Sequence, residues 1–237
     1  MRVEVLFPEI CNLSGDGMNI RYLHQCCPAL EIVETTLKDR PAFLDGGVEL
    51  LYLGSATEKG LELMVEALAP HREALLERID QGQLMLVTGN ALDALGRYVT
   101  SDDGWRLEGL GILDTHAEYH MMDRHNSFFL GKFEGMDIVG FKSLFGHTYG
   151  ADDAAEPLFA VEKGVGRFPG AAVEGFRRNN LLATYLTGPL LVLNPPFTKW
   201  LLRQMGAPDH LAFEEAAMDN YEKRVAEFRE PGRDYMY

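Results

Sequence analysis

A nucleophile, a base to activate it, or a set of metal ligands must come from few side chains here. The chain has 237 residues, with three cysteines and seven histidines. A cysteine attacks as the thiolate and needs a base within reach. By spacing, His24 sits about one helical turn before Cys27, while Cys11 stands in a polar loop and Cys26 near a helix end. An unactivated cysteine is ordinarily a small buried hydrophobe. The segment His116-Ala-Glu118-Tyr-His120 would put three ligand-type side chains on one face of a strand, with Asp123 and His125 beyond. Such an oxygen and nitrogen set suits zinc or a similar ion. Alternating polar residues equally describe the solvated face of a sheet, and we expect no metal and no cofactor.

The stretch Gln83–Val99, reading QLMLVTGNALDALGRYV, has the form of a catalytic turn. Leu84–Val87 is an apolar run suited to a strand buried on both faces. Leu92, Leu95, Gly96 and Val99 recur at helical spacing. Thr88-Gly89-Asn90 between them is tight enough to require an unusual backbone angle. Hydrolytic α/β enzymes hold a nucleophile at such an elbow, where the following helix offers backbone N–H groups to an oxyanion. Here the elbow holds Gly89, which has no side chain to react.

The elements that would position this turn follow from periodicity. Residues 2–7 alternate as a strand stopped by Pro8, and NLSGDGMNIRYLHQCC is a polar loop entering a helix near Asn19–Cys27, with Ser14, Asp16 and Asn19 as candidate caps. Glu31–Leu37 and Val48–Leu53 are further strands. A helical segment over Glu58–Ile79 is expected to break at Pro70. Strand–helix alternation implies parallel strands joined by right-handed crossovers, hence an α/β, doubly wound, mostly parallel sheet with helices on both faces. Ligands of such sheets bind at the carboxyl ends of strands, which gathers Pro8–Asp16, Gly54–Glu58 and Thr88–Asn90 on one rim. Beyond it, the tract from Ser127 to Gly150 reads as an antiparallel hairpin turning at Glu134-Gly135. Ala172–Arg178 and Leu181–Leu186 are two further strands, closing on Thr187-Gly188-Pro189. Pro195–Met205 is a helix facing inward through Phe197, Leu201 and Leu202. Ala212–Glu230 is a charged helix packed by Phe213, Ala217, Tyr221, Val225 and Phe228.

The net charge of −14 argues against a general binder of nucleic acid or anionic membrane, which needs clustered Lys and Arg. No apolar run approaches the roughly 20 residues of a membrane helix. The opening MRVEVLFPEI reads as a strand and not as a leader, and the sparse cysteines fit a reducing cytoplasm. Without repeats or linkers, a single domain over 1–237 is expected, with a core over 1–206 and a helical extension over 207–237.

FPEICNLSGDGMNIRYL, LYLGSATEKG, TGNALDALG, IVGFKSLFGHTYG and ATYLTGPLLVLNPPF together resemble, in order and spacing, the class I glutamine amidotransferases. The closest branch is the cobyric-acid-synthase-like one (CobB/CobQ), typified by the glutaminase subunit of the enzyme that amidates lipid II in bacterial cell-wall peptidoglycan synthesis. The resemblance covers most of residues 1–206, with TYLTGPLLVLNP its most specific piece. It implies a flavodoxin-like fold with an antiparallel excursion. In the family the elbow reads approximately C-G-G-Y-Q-L-L-G and the cysteine is the nucleophile; its match here is Gly89. The histidine of T-Y-L-H-G-P-L-L is matched by Thr187. The oxyanion turn G-G-G-Q-D is matched by Gly54-Ser55-Ala56-Thr57-Glu58, and Arg124 falls near an arginine that helps hold glutamine.

Amide hydrolysis by this route needs a thiolate and a base that protonates departing ammonia. Glycine provides no group, and a threonine hydroxyl does not titrate near neutral pH. The resemblance therefore implies an amidotransferase-like protein without glutaminase activity. It would be a binding or regulatory subunit with a Mur-ligase-like partner or in a homo-oligomer, or a modulator of an active paralogue. The alternatives are an enzyme of altered chemistry, using the helix N-terminus at Asn90 with Cys11, Asp93 or Glu58 as reactive group, or a small-molecule sensor using the same strand-end pocket. That pocket would comprise Gly54, Ser55, Ala56, Asn90 and Arg124.

Overall fold

The computed structural model describes residues 1–232. Its elements run β1 (Arg2–Leu6), α1 (Gly17–Cys26), β2 (Glu31–Thr35), β3 (Leu50–Leu53), α2 (Glu58–Leu68), α3 (Arg72–Asp80), β4 (Met85–Thr88), α4 (Ala91–Leu95), β5 (Tyr98–Ser101), β6 (Arg106–Glu108) and β7 (Thr115–Tyr119). They continue as β8 (His125–Phe133), β9 (Met136–Leu144), β10 (Gly146–Gly150), β11 (Glu156–Lys163), β12 (Val173–Arg178), β13 (Leu181–Thr184), α5 (Leu190–Leu193), α6 (Pro195–Gln204) and α7 (Glu214–Arg229).

A nine-stranded sheet in the order β2-β1-β3-β4-β13-β12-β11-β8-β9 carries the fold. From β2 to β13 every pairing is parallel, and from β13 onward every pairing is antiparallel. This is the α/β, flavodoxin-like sheet expected, and its antiparallel excursion occupies the far half. A four-stranded sheet, β10-β7-β5-β6, stands beside it. The short apolar strands are buried on both faces because successive side chains point oppositely. Leu51, Leu53, Met85 and Val87 enter one core with α2, α3 and the smaller sheet. Leu50, Tyr52, Leu84 and Leu86 enter the other with α1 and α6.

Pro70 divides the long helical segment as expected, α2 passing through a 3-10 turn at Ala69–His71 into α3. Glu134 and Gly135 both adopt positive φ, 45° and 82°, which matches the twist of the β8–β9 hairpin. Two expectations about helices need correction. The helix after the elbow has five residues, not a longer run through Val99, because Arg97 N–H bonds to Thr115 O and Tyr98–Ser101 joins the smaller sheet. Helix α7 buries Tyr221, Val225 and Phe228 against Leu130 and Val139, but Phe213, before its first turn, is 75% exposed. The last residues of the expected extension, 233–237, lie outside the described residues. Among the described residues no helix is long and apolar enough to cross a membrane.

Candidate active site

The carboxyl ends of β1, β3, β4 and β13 meet at one rim, because four neighbouring parallel strands bring their connecting turns together. A cavity of about 50 Å³ opens there, lined by Ser55, Ala56, Gly89, Asn90, Arg124 and Thr187 among others. Residues from segments distant in sequence are thus brought together. Gly54 stands just behind: a Cβ on it would fall 2.4 Å from Cys11 O. Pockets that hold small molecules are usually about 300–1,000 Å³, so this one has room for a few waters.

Gly89 follows β4 with φ +62°, the left-handed conformation that the tight turn predicts. An ideal Cβ at this position would lie 2.5 Å from Ser55 Cβ. Ser55 is held where it is: its hydroxyl donates to Asp16 Oδ2 at 2.5 Å and its carbonyl accepts Leu13 N–H at 3.1 Å. A side chain at 89 could be accommodated only by displacing that turn. Asn90 next to it is fully engaged as well. Its Oδ1 accepts Ala56 N–H at 3.0 Å, and its Nδ2 donates to Ala56 O at 2.8 Å. The Ala56 backbone N–H is therefore filled by the chain's own amide oxygen. Thr187 donates both its N–H, at 2.9 Å, and its hydroxyl, at 3.0 Å, to Phe141 O. Arg124 rests its guanidinium 4.6 Å over the Phe145 ring.

Asp16 has a role that the sequence reading missed. Its residue type and position suggest a helix cap, yet its side chain caps nothing. Its fully buried carboxylate accepts Ser14 N–H at 3.0 Å, Ser55 Oγ–H and, at 2.8 Å, Thr88 Oγ1–H. Tyr52 OH donates to Asp16 O at 3.2 Å. One residue thereby joins the turns after β1, β3 and β4. The available signal was Thr88 and Ser55, polar residues at the ends of otherwise apolar strands, which need buried acceptors.

Beneath the rim lies a second polar cluster. Asp93, buried on α4, accepts Tyr119 OH at 2.7 Å, Tyr185 OH at 2.5 Å and Thr148 Oγ1–H at 3.1 Å. Burial pushes its carboxyl up to about 6, and the three hydroxyl donors hold it from rising further. Asp93 is thus a joint between the two sheets and not an exposed reactive group. Cys11 is placed off the rim cavity. It is 3% exposed, and burial, with Asp16 and Glu9 nearby, pushes its thiol up to about 12. Cys26 and Cys27 are also buried and unbridged. Glu58 lines the cavity, but α4, at five residues with Asn90 engaged, presents no anion site.

The possible ligand set of β7 is dispersed. His116 stacks on Tyr98 with centroids 5.1 Å apart and lies 3.6 Å from Glu118, while His120 approaches Asp102. Among the described residues no group of three or more His, Cys, Asp or Glu could hold a metal ion. His125 and His147 pack at 5.2 Å, and burial, with His125 and Lys142 nearby, pushes His147 down to about 4.

Comparisons with known proteins agree with this architecture. The chain is 30% identical over 172 residues to subunit GatD of the glutamine-hydrolysing lipid II isoglutaminyl synthase of Staphylococcus aureus (strain N315), spanning 73% of this chain and 70% of the relative. It is 23% identical over 202 residues to the same subunit of Streptococcus pneumoniae (strain ATCC BAA-255 / R6), spanning 82% and 76%. A solved glutamine amidotransferase superposes with a TM-score of 0.56 at 15% identity, covering 86% of this chain and 99% of the other. A chain in the structure of PurLQS from Thermotoga maritima gives 0.55 at 14% identity, covering 94% and 98%. At such identities the structural likeness speaks for the fold alone. No protein-family model matches the chain.

Proposed function

The chain belongs to the GatD family of class I glutamine amidotransferase-like proteins, and from that premise we propose that it is a member without glutaminase activity. It acts as a binding or regulatory subunit of a Mur-ligase-like amidating complex, or of an active paralogue. One observation supports the reading: Gly89, the residue that the resemblance matches to the family's nucleophile, has no side chain, and an ideal Cβ there would stand 2.5 Å from Ser55 Cβ. A site that had lost its cysteine and kept its shape would still leave that space open. Asn90 and Thr187 also direct their hydrogen bonds inward, onto Ala56 and Phe141.

The rim supports a docking role better than a chemical one. Leu13 is 60% exposed and Met122, in the loop that carries Arg124, is 96% exposed. Large apolar side chains displayed around a closed site are suited to a partner surface. A sensor or altered enzyme at this rim would need more than the 50 Å³ available.

Co-expression with the Mur-ligase-like protein of the same host, followed by sedimentation, tests the assembly. A stable complex is expected, with an interface of about 1,200 Å² or more. Leu13→Asp with Met122→Asp should weaken it at least tenfold and leave the melting temperature unchanged. A chain that stays apart from that protein and from itself at about 50 μM would refute the docking role, since specific complexes of this size are far tighter.

A further inference from the structure

The outer strand of the nine-stranded sheet, β2, has no neighbour on its free side among the described residues. Glu31 N–H bonds to Met1 O at 2.9 Å, and Thr35 O accepts Phe7 N–H at 2.7 Å. In this parallel register the odd-numbered residues therefore turn their amides toward β1, and Ile32 and Glu34 turn theirs outward. The edge is composed of Glu-Ile-Val-Glu-Thr and lacks the proline or bulge that usually blunts an exposed strand.

Beside this edge runs a groove of about 760 Å³, between the β1–β2 face and α1. Its floor includes Val5, Ile20 and Ile32, with Met18, 47% exposed, at the lip. Arg21 projects from the helix wall and Glu34 from the strand. Both are exposed, and among the described residues neither makes an ion pair. An apolar trough between an edge strand and a flanking helix is the geometry that receives an extended segment as an added strand. Main-chain hydrogen bonds then provide attachment, and every second side chain drops into the trough.

We infer that this groove binds an extended segment of a partner protein by strand addition to β2, with a basic side chain over Glu34 and an acidic one against Arg21. Charge decides the occupant. A second copy would present the same edge, which has acids and no base, and would bring together two chains of net charge −14. A segment bearing Lys or Arg is drawn by the same field and meets an unpaired carboxylate. The inference needs only the edge and the groove, so it stands or falls apart from the question of glutamine hydrolysis.

Panning a phage-displayed library of random dodecapeptides against the full chain tests it. Enriched clones should alternate apolar and polar residues and carry Lys or Arg at one alternate position. With a selected peptide synthesised and bound to saturation, hydrogen exchange at the Ile32 and Glu34 amides should slow at least tenfold. Ile32→Pro removes an outward donor and leaves the bonds to β1 intact, so it should weaken binding tenfold or more. Glu34→Lys keeps the strand and should weaken it at least fivefold, which covers the case in which the proline variant does not fold. Failure to enrich any clone, clones whose peptides leave the Ile32 and Glu34 amides unprotected, or self-association through β2 would each overturn the inference.

Discussion

The side-chain amide of Asn90 forms a closed pair with the backbone of Ala56, one hydrogen bond in each direction. This pair fastens the elbow after β4 to the turn after β3, and it engages the Ala56 N–H. Asn90→Ala removes both bonds, and at about 1 kcal/mol net per bond the cost should be about 1–3 kcal/mol. Urea denaturation would report it as a lower midpoint with an unchanged slope. An unchanged midpoint would mean that the clamp contributes nothing.

Gly89 and Ser55 are expected to be energetically coupled. Gly89→Ala places a Cβ at positive φ, costing about 1–2 kcal/mol. It also forces a contact with Ser55, and overpacking of this kind costs about 1–3 kcal/mol more. Ser55→Gly in the same chain should recover most of the second part and none of the first. A double-mutant cycle measures this, and a coupling energy near zero would show that the turn moves aside freely.

Much of the fold is legible in the residues alone, for a physical reason. Leu50–Leu53 and Met85–Thr88 are buried on both faces, so composition alone marks them. Pro70 and Gly135 carry their backbone preferences in their residue types. The convergence of Gly54, Gly89 and Thr187 also follows, because a parallel sheet gathers its strand ends. What stays hidden depends on contacts distant in sequence. The end of α4 is set by Thr115, the exposure of Phe213 by how α7 enters, and the hub role of Asp16 by two hydroxyls 39 and 72 residues away. Local periodicity contains none of these.

Stability should carry a signature of Asp93. Its carboxyl titrates near 6 in the folded chain, against an ordinary value of 3.8. The folded state therefore holds a proton that the unfolded state releases, and the associated stability is full below about pH 4 and is lost as pH rises through 6. Between those two values the loss amounts to about 2–3 kcal/mol. Asp93→Asn removes the titration, so the stability of wild type relative to this variant should decline between about pH 4 and 7. Parallel pH profiles of the two chains would contradict the assignment.

Lys142 and Glu174 are both buried, with Nζ 3.3 Å from Oε1 and 2.7 Å from Gly166 O. Burial pulls the ammonium's titration down, and Glu174 opposes that. Lys142→Met should cost about 3–5 kcal/mol, since it strands a buried carboxylate. Lys142→Met with Glu174→Gln should cost clearly less than the single change, as read by chemical denaturation. A double variant as unstable as the sum of the two would show that they act independently.

Glutamine turnover separates an inactive rim from a working one. Ammonia and glutamate release from glutamine should stay at the no-enzyme level for the wild-type chain, alone or with its partner, because neither Gly89 nor Thr187 supplies a thiolate or a base. Gly89→Cys and Thr187→His should fail singly, since members of a catalytic unit recover little alone. Their combination should fail too while Ser55 occupies the space. Only with Ser55→Gly added should weak hydrolysis, and labelling at residue 89 by a glutamine-mimicking electrophile, become detectable. Turnover by the wild-type chain above the no-enzyme control, in a preparation free of host glutaminases, would contradict the loss of glutaminase activity.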